Sequence, residues 1–249
     1  MSDVNIFELG TARIVVWDRH ARRNAWSRAT IDDIATAIEA AGVDSTVRCV
    51  IVRGAGEHFS AGDDLHDALA ADAAAWSATV AAFQRLTRVT RTAPVPVIAA
   101  IDGVCIGGAL EFAASCDLRF ATTRARFGTP EVRLGLVATN AGTLLLPEVL
   151  GETAARQLLL TGELMDASWA QAHGFVTELV EPVGFDERID AWARAFEGTS
   201  RYAVGATKAM LNERLGELPA AAMAREEEAC VALFDGPDAR QALADFARR

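Results

Sequence analysis

The chain has 249 residues, 51% of them hydrophobic, and a formal net charge of −10. This is enough apolar material for a full core, since even ~150 residues hide about 68–70% of their unfolded surface, and one main globular unit is expected. The acidic balance excludes a nucleic-acid binder, which needs clustered Lys and Arg, and no apolar run reaches the ~18 residues of a membrane-spanning helix, so neither nucleic acid nor membrane is an expected partner.

Alternating apolar residues over Val4 to Leu9 and Ala12 to Trp17, split by Gly10-Thr11, predict an antiparallel strand pair. Asp18 to Ser27 reads as a loop. Thr30, with Asp33 three residues on, is the expected N-cap of a helix that carries Ile34, Ala37, Ile38 and Ala41 on one face and stops at Gly42. A buried strand is predicted over Val47 to Val52, followed by a glycine-rich loop over Gly54 to Asp64 and an Ala-rich helix from about Asp72 to Arg91 that Pro94 and Pro96 end. Val95 to Ile101 is a second buried strand, Gly103 to Gly108 a turn, and Ala109 to Ala114 the start of a helix. Short strands follow at Leu118 to Ala121, Ala125 to Phe127 and Val176 to Glu181, with helices between Phe127 and Gly174. From Phe185 on the pattern is helical, broken at Gly198, Gly216 to Pro219 and Asp235-Gly236-Pro237. The order predicts an α/β core over 1–197 with a helical region over 198–249 packed closely against it.

Two loop-to-helix junctions supply backbone amides without helical partners: Ser60-Ala61-Gly62-Asp63-Asp64-Leu65 and Ile106-Gly107-Gly108-Ala109-Leu110-Glu111. Such amides can hold an oxyanion, although most glycine turns merely turn the chain. Glu111 opens an otherwise apolar helix, and Glu131 follows Pro130 in what looks like another helical first turn. Each alone reads as a carboxylate favoured by the helix dipole, worth ~0.3–1 kcal/mol. Two glutamates in one apolar site could instead divide the roles of acid and base.

Cys49, Cys105, Cys116 and Cys230 stand far apart and are expected as buried thiols, not a zinc site. His20, His58, His66 and His173 sit in loops or polar helices at no metal-ligand spacing and receive no role. Arg19, Arg22, Arg23 and Arg28 form a local basic patch, open to an anionic ligand or simply solvated. Met1-Ser2-Asp3-Val4 lacks the basic-then-apolar order of a secretory signal, so a cytoplasmic location is expected.

Several motifs agree in order with one family. Arg23-Asn24-Ala25, Phe59-Ser60-Ala61-Gly62-Asp63-Asp64-Leu65, Gly103 to Glu111, Cys116-Asp117-Leu118-Arg119 and Phe127-Gly128-Thr129-Pro130-Glu131-Val132-Arg133-Leu134-Gly135 together resemble the crotonase, or enoyl-CoA hydratase/isomerase, superfamily over nearly the whole chain. The resemblance implies a spiral of strand-strand-helix turns with a C-terminal helical trimerisation region, and a homotrimer or homohexamer. It implies an acyl-CoA substrate and no metal or redox cofactor, coenzyme A being part of the substrate. The oxyanion donors would be the amides of Asp63 and Gly108. Ala61, Asp64 and Leu65 would lie along the nucleotide and pantetheine, with Arg22 or Arg23 at a phosphate. Glu111 would help to deprotonate a water for attack at Cβ, and Glu131 would supply the proton to Cα.

One stretch departs from the family pattern. Where hydratases carry a proline and several glycines, this chain has Leu136-Val137-Ala138-Thr139-Asn140-Ala141-Gly142-Thr143. Thr139 and Asn140 would border the acyl pocket or cap the following helix. Hydration of a trans-2-enoyl-CoA is therefore the first expectation and 3,2-enoyl-CoA isomerisation the second. Acyl-CoA hydrolysis, decarboxylation or acyl-CoA binding without turnover stand behind them. Trp76, Val80 and Phe83 read as core more readily than as pocket.

Overall fold

The computed structural model describes residues 2–215 and 219–248. β1 (Val4–Leu9) and β2 (Ala12–Trp17) form the expected antiparallel pair, with Ile6 opposite Val15. The next helix, α1 (Arg28–Val43), starts before the expected position. Ser27, not Thr30, is its N-cap: the Ser27 hydroxyl accepts a hydrogen bond from the Thr30 amide, which places Thr30 inside the first turn. β3 (Cys49–Gly54) is likewise displaced by two residues from the expected strand, because the Val47 amide is still engaged in a turn with the Asp44 carbonyl.

After the glycine-rich loop the helical stretch divides into α2 (Leu65–Ala70) and α3 (Ala73–Thr92). Asp64 caps the first through the His66 amide, and Asp72 caps the second through the Ala75 amide. β4 (Val97–Ile101) is followed by a three-residue strand, β5 (Val104–Ile106), inside the segment expected as a plain turn. α4 (Gly108–Ser115), β6 (Leu118–Thr122) and β7 (Arg126–Gly128) come next. Pro130–Leu134 is a 3-10 helix. α5 (Gly142–Leu150), α6 (Glu152–Thr161), β8 (Met165–Asp166), α7 (Ala167–Ala172) and β9 (Glu178–Val180) complete the core. The helical region holds α8 (Phe185–Ala195), α9 (Arg201–Leu215), α10 (Ala220–Phe234) and α11 (Pro237–Ala247). Of the break expected over Gly216 to Pro219, residues 216–218 lie outside the described residues.

The main sheet runs β1-β2-β3-β4-β6-β9, parallel except for the β1–β2 hairpin. Ile14, Ile51 and Ile98 stand in one register row and pack with Phe120, Phe185 and Ile189 on one face. On the other face Val15, Val50, Val52 and Val97 meet Ile34, Ile38 and Leu86 from α1 and α3. Burial on both faces explains why these strands read as continuous apolar runs. A second layer is built from short pieces: β5, β7 and β8 form a three-stranded sheet, and single bridges link Trp26 to Asp63 and Ser60 to Cys105. β2, β3, β4 and β6 each lead to a short extended piece of the second layer and then to a helix. This is the expected strand-strand-helix spiral, and it stacks the loops at 24–26, 60–64 and 105–108 beside one another.

The last helices fold back on the core. Trp76 of α3 stacks on Phe234 of α10 with centroids 4.6 Å apart, its indole nitrogen donates to Cys230 Sγ at 3.3 Å, and Leu243 of α11 joins the same cluster with Ala68 of α2. Val80 and Phe83 are buried, in agreement with the core reading, and Trp76, also buried, borders a cavity as well. All four cysteines are buried and free.

Candidate active site

Every amide of the loop at 60–64 except that of Asp63 is bonded. The Gly62 amide donates to Ser60 Oγ at 3.0 Å, the Ala61 amide to the Arg23 carbonyl at 3.0 Å, the Trp26 amide to the Gly62 carbonyl at 2.8 Å and the Asp64 amide to the Trp26 carbonyl at 3.0 Å. In this parallel bridge the residues flanking Asp63 do the bonding, so the Asp63 amide points away from Trp26. Beneath the loop, Trp17 donates from its indole nitrogen to the Phe59 carbonyl at 2.6 Å, and its ring meets Trp26 and Phe59 edge-on at 5.1 and 4.9 Å. The loop therefore rests on a rigid aromatic floor.

The second loop abuts the first. Gly62 and Gly107 have φ of +83° and +61°, in the region that favours glycine. A methyl group on Gly62 would stand 2.8 Å from the Ile106 carbonyl oxygen and 3.5 Å from the Gly108 nitrogen. The Gly107 amide is spent on the Gly128 carbonyl, and the Gly107 carbonyl accepts from Leu110 and Glu111 as α4 begins. Among the described residues the amides of Asp63 and Gly108 have no hydrogen-bond partner in the chain. Two neighbouring donors of this kind can stabilise a developing oxyanion.

Both glutamates reach this junction. Glu111, in the first turn of α4, is buried, and its Oε2 accepts from the Asn140 amide at 2.8 Å and the Gly142 amide at 2.9 Å. Glu131 stands on the 3-10 helix with Oε1 so close to Gly107 that a methyl group there would lie 2.9 Å from it, while Oε2 is buried without a partner. Burial first, then the charges of Glu131, Glu226 and Asp63, push the Glu111 carboxyl well above the carboxylate range. Burial raises Glu131 to about 7. Asp63 is raised to about 8 by burial and then by Glu131 and Asp64. Such a cluster carries fewer negative charges than it has carboxyls at neutral pH, and the amides of Asn140 and Gly142 on Oε2 favour leaving one charge on Glu111.

The remaining expected residues are placed as follows. Ala61 and Leu65 are half-buried on the first loop, and Arg22 and Arg23 are exposed at its rim. Asp64 is turned inward: its Oδ2 accepts from Arg19 at 2.8 Å and Arg22 at 2.7 Å while Oδ1 caps α2. A cavity of about 430 Å³ adjoins the loop, lined by Trp26, Arg28, Asp63, Trp76 and Thr79. Thr139 and Asn140 do not line it. The Asn140 side chain faces the protein interior, where its oxygen accepts from the Thr87 hydroxyl and its nitrogen donates to the Gly108 carbonyl at 3.5 Å. Neither residue caps α5, whose N-cap is Ala141. A second cavity, of about 450 Å³, lies between α3 and α9, and none of the candidate site residues lines it.

Residues 10–249 match the enoyl-CoA hydratase/isomerase family. The chain belongs to this family. Among the family's members it is similar to the crotonyl-CoA hydratase of Syntrophomonas wolfei, at 32% identity over 92% of this chain and 88% of the relative. It is also similar to the short-chain-enoyl-CoA hydratase of Clostridium acetobutylicum, at 30% identity over 99% and 95%. A solved enoyl-CoA hydratase/isomerase from Xanthobacter autotrophicus Py2 superposes with a TM-score of 0.87 at 30% identity, covering 100% of this chain and 98% of that one. The crotonase fold and the family expected from the ordered motifs are thus established.

Three contributors escaped the sequence reading. Trp26 lay in a segment read as loop, yet it is a buried wall of the cavity. Gln84 of α3 is buried and donates to the Thr139 and Met223 carbonyls at 3.4 and 3.0 Å. Glu226 of α10 is buried within Arg225-Glu226-Glu227-Glu228. The usable signal was spacing: Glu226 follows Met223 by three and precedes Cys230 by four, so it shares their buried stripe.

Proposed function

We propose that this enzyme adds water across the 2,3 double bond of a trans-2-enoyl-CoA, with Glu111 and Glu131 as its acid/base pair. The observation that carries this reading is the convergence of two buried glutamates on the junction of the two amide loops. The thioester carbonyl oxygen is received by the amides of Asp63 and Gly108. Glu111, fixed by two amides, takes a proton from water as the water oxygen bonds to Cβ. Electron density moves to the thioester oxygen, where each amide contributes about 2.7–4 kcal/mol of transition-state stabilisation. Glu131 then delivers its proton to Cα, giving a 3-hydroxyacyl-CoA. Passage of the proton left on Glu111 to Glu131 resets the pair, so the product is the enoyl-CoA plus one water and no oxidant or reductant is consumed.

The nucleotide and pantetheine lie along Ala61, Asp64 and Leu65, with Arg22 and Arg23 offering charge to a phosphate from the rim. The protein works as a homotrimer or homohexamer built through the helical region of 198–249, where α9 leaves Tyr202, Met210 and Leu211 exposed. Four free thiols accord with a reducing, cytoplasmic setting. Isomerisation of a 3-enoyl-CoA is the second reading, supported by the unbonded Oε2 of Glu131, since one mobile carboxyl suffices to carry a proton between two carbons. Incubation with crotonyl-CoA tests the primary reading. The conjugated thioester absorbance falls and the product gains one water. Failure with several chain lengths and with an aromatic enoyl-CoA would overturn it.

A further inference from the structure

The turn that grips Glu111 is itself gripped from the other side. Glu226 Oε2 accepts from the Ala141 amide at 2.8 Å, and Oε1 accepts from the Thr143 amide at 3.0 Å and from the Thr143 hydroxyl. The amides between and before them, Gly142 and Asn140, donate to Glu111 Oε2. Four successive amides therefore alternate between two carboxylates, one from α4 and one from α10. Ala141 at the centre has φ of +62°, a conformation that a residue with a Cβ holds only where its surroundings impose it. Gln84 straps the same region by donating to the carbonyls of Thr139 and Met223, the latter one helical turn before Glu226.

We propose that Glu226 is a positioning residue: it holds the left-handed turn at Ala141 so that the Asn140 and Gly142 amides fix the Glu111 carboxylate, which makes the C-terminal helix α10 part of the catalytic geometry. The inference rests on the hydratase reading for its catalytic consequence. Glu226 is not among the residues lining the cavity beside the loop; it reaches Glu111 through the turn and through its charge, which helps to raise the Glu111 carboxyl, and Thr143→Val keeps that charge and so reports the turn alone. Its loss leaves the 60–64 loop and Glu131 in place, because neither is bonded to α10 or to residues 140–143, and the second loop is tied to the turn only by the long 3.5 Å bond from the Asn140 side chain to the Gly108 carbonyl. The step that depends on Glu111 should suffer, and the proton transfer at Cα that depends on Glu131 should not.

The test compares the full-length parent with Glu226→Gln, which keeps the shape but cannot accept from both amides, and with Thr143→Val, which removes one donor to Glu226. Hydration of crotonyl-CoA should lose about 10–100-fold in kcat in Glu226→Gln, with KM within about threefold and a smaller loss of the same kind in Thr143→Val. Exchange of the Cα protons of butyryl-CoA in deuterated water, which needs Glu131 and the oxyanion donors alone, should stay within about twofold of the parent. A hydration kcat within about twofold of the parent overturns the inference, and so does a parallel fall of hydration and Cα exchange, which marks a general loss of structure. If the parent hydrates no enoyl-CoA, the hydratase reading fails by itself, and residue-resolved amide hydrogen exchange decides the positioning. In Glu226→Gln the amides of Asn140 and Gly142 should lose protection together with those of Ala141 and Thr143. Retained protection at Asn140 and Gly142 overturns the inference.

Discussion

Replacing Gly142 by alanine places a methyl group directly against the carboxylate of Glu111. The added Cβ would overlap Oε2 and stand 2.8 Å from Cδ, with Ala138 Cβ 2.9 Å away on its other side. Gly142 opens α5 and is not among the residues of positive φ, so the backbone accepts alanine and the strain falls on the side chain of Glu111. To relieve it, the carboxylate must withdraw by roughly 1 Å and give up the bonds from Asn140 and Gly142, a displacement that costs about 10²-fold when it befalls a catalytic group. Hydrogen bonds to a charged acceptor are worth about 1.5–3 kcal/mol each, which leads to the same order of loss. Crotonyl-CoA hydration followed by absorbance should show kcat reduced about 10²-fold and KM within about threefold, since the oxyanion loops are untouched. In a Glu111→Ala background the same substitution should add almost nothing, because the group it displaces is absent. A Gly142→Ala enzyme with kcat within about twofold of the parent would refute the role assigned to the Glu111 carboxylate.

Gly62→Ala drives a methyl group onto the Ile106 carbonyl and parts the two amide loops, so kcat/KM should fall about 10²–10³-fold, as for loss of one oxyanion donor; retention of full activity would show that Asp63 and Gly108 do not act together. Asp63→Asn should leave hydration nearly intact, because Asp63 contributes its amide, yet it should change the pH dependence of stability. The Asp63 carboxyl is raised in the folded protein to about 8 from 3.8, so its favourable contribution is complete below about 4 and is lost as pH rises through 8. The melting temperature of Asp63→Asn should therefore gain on that of the parent between these limits, by roughly 2–4 °C for each kcal/mol relieved; a constant difference across that range would contradict the raised value.

Much of this architecture was legible because local chemistry and tertiary structure agree. The strand runs at Ile14, Ile51 and Ile98 are apolar on both faces because both faces are covered, and Pro94 and Pro96 end α3 where the pattern says they should. Boundaries failed where a side chain outside the expected element took over, as when Ser27 instead of Thr30 capped α1. β5 was invisible because three residues that pair with β7 and, by a single bridge, with Ser60 carry no periodic signal. At the site, Glu111 and Glu131 announced themselves as charges in apolar, helix-starting contexts, and the ordered motifs linked them. Asn140 looked like a pocket residue because its polarity was plain and its direction was not; Thr87 and the Gly108 carbonyl, far away in sequence, turn it inward. Glu226 was hidden for the same reason, its carboxylate being partnered by amides more than 80 positions distant, as the separations of 85 and 83 residues show.

The central claim is that Glu111 activates water while Glu131 moves the proton at Cα, and one comparison tests it most directly. Purified Glu111→Gln should be assayed side by side for hydration of crotonyl-CoA and for isomerisation of a 3-enoyl-CoA. Hydration should collapse by about 10²–10⁴-fold, the usual contribution of a positioned general base, with any isomerisation that Glu131 supports surviving. Hydration by Glu111→Gln at the parent's rate would contradict the assignment.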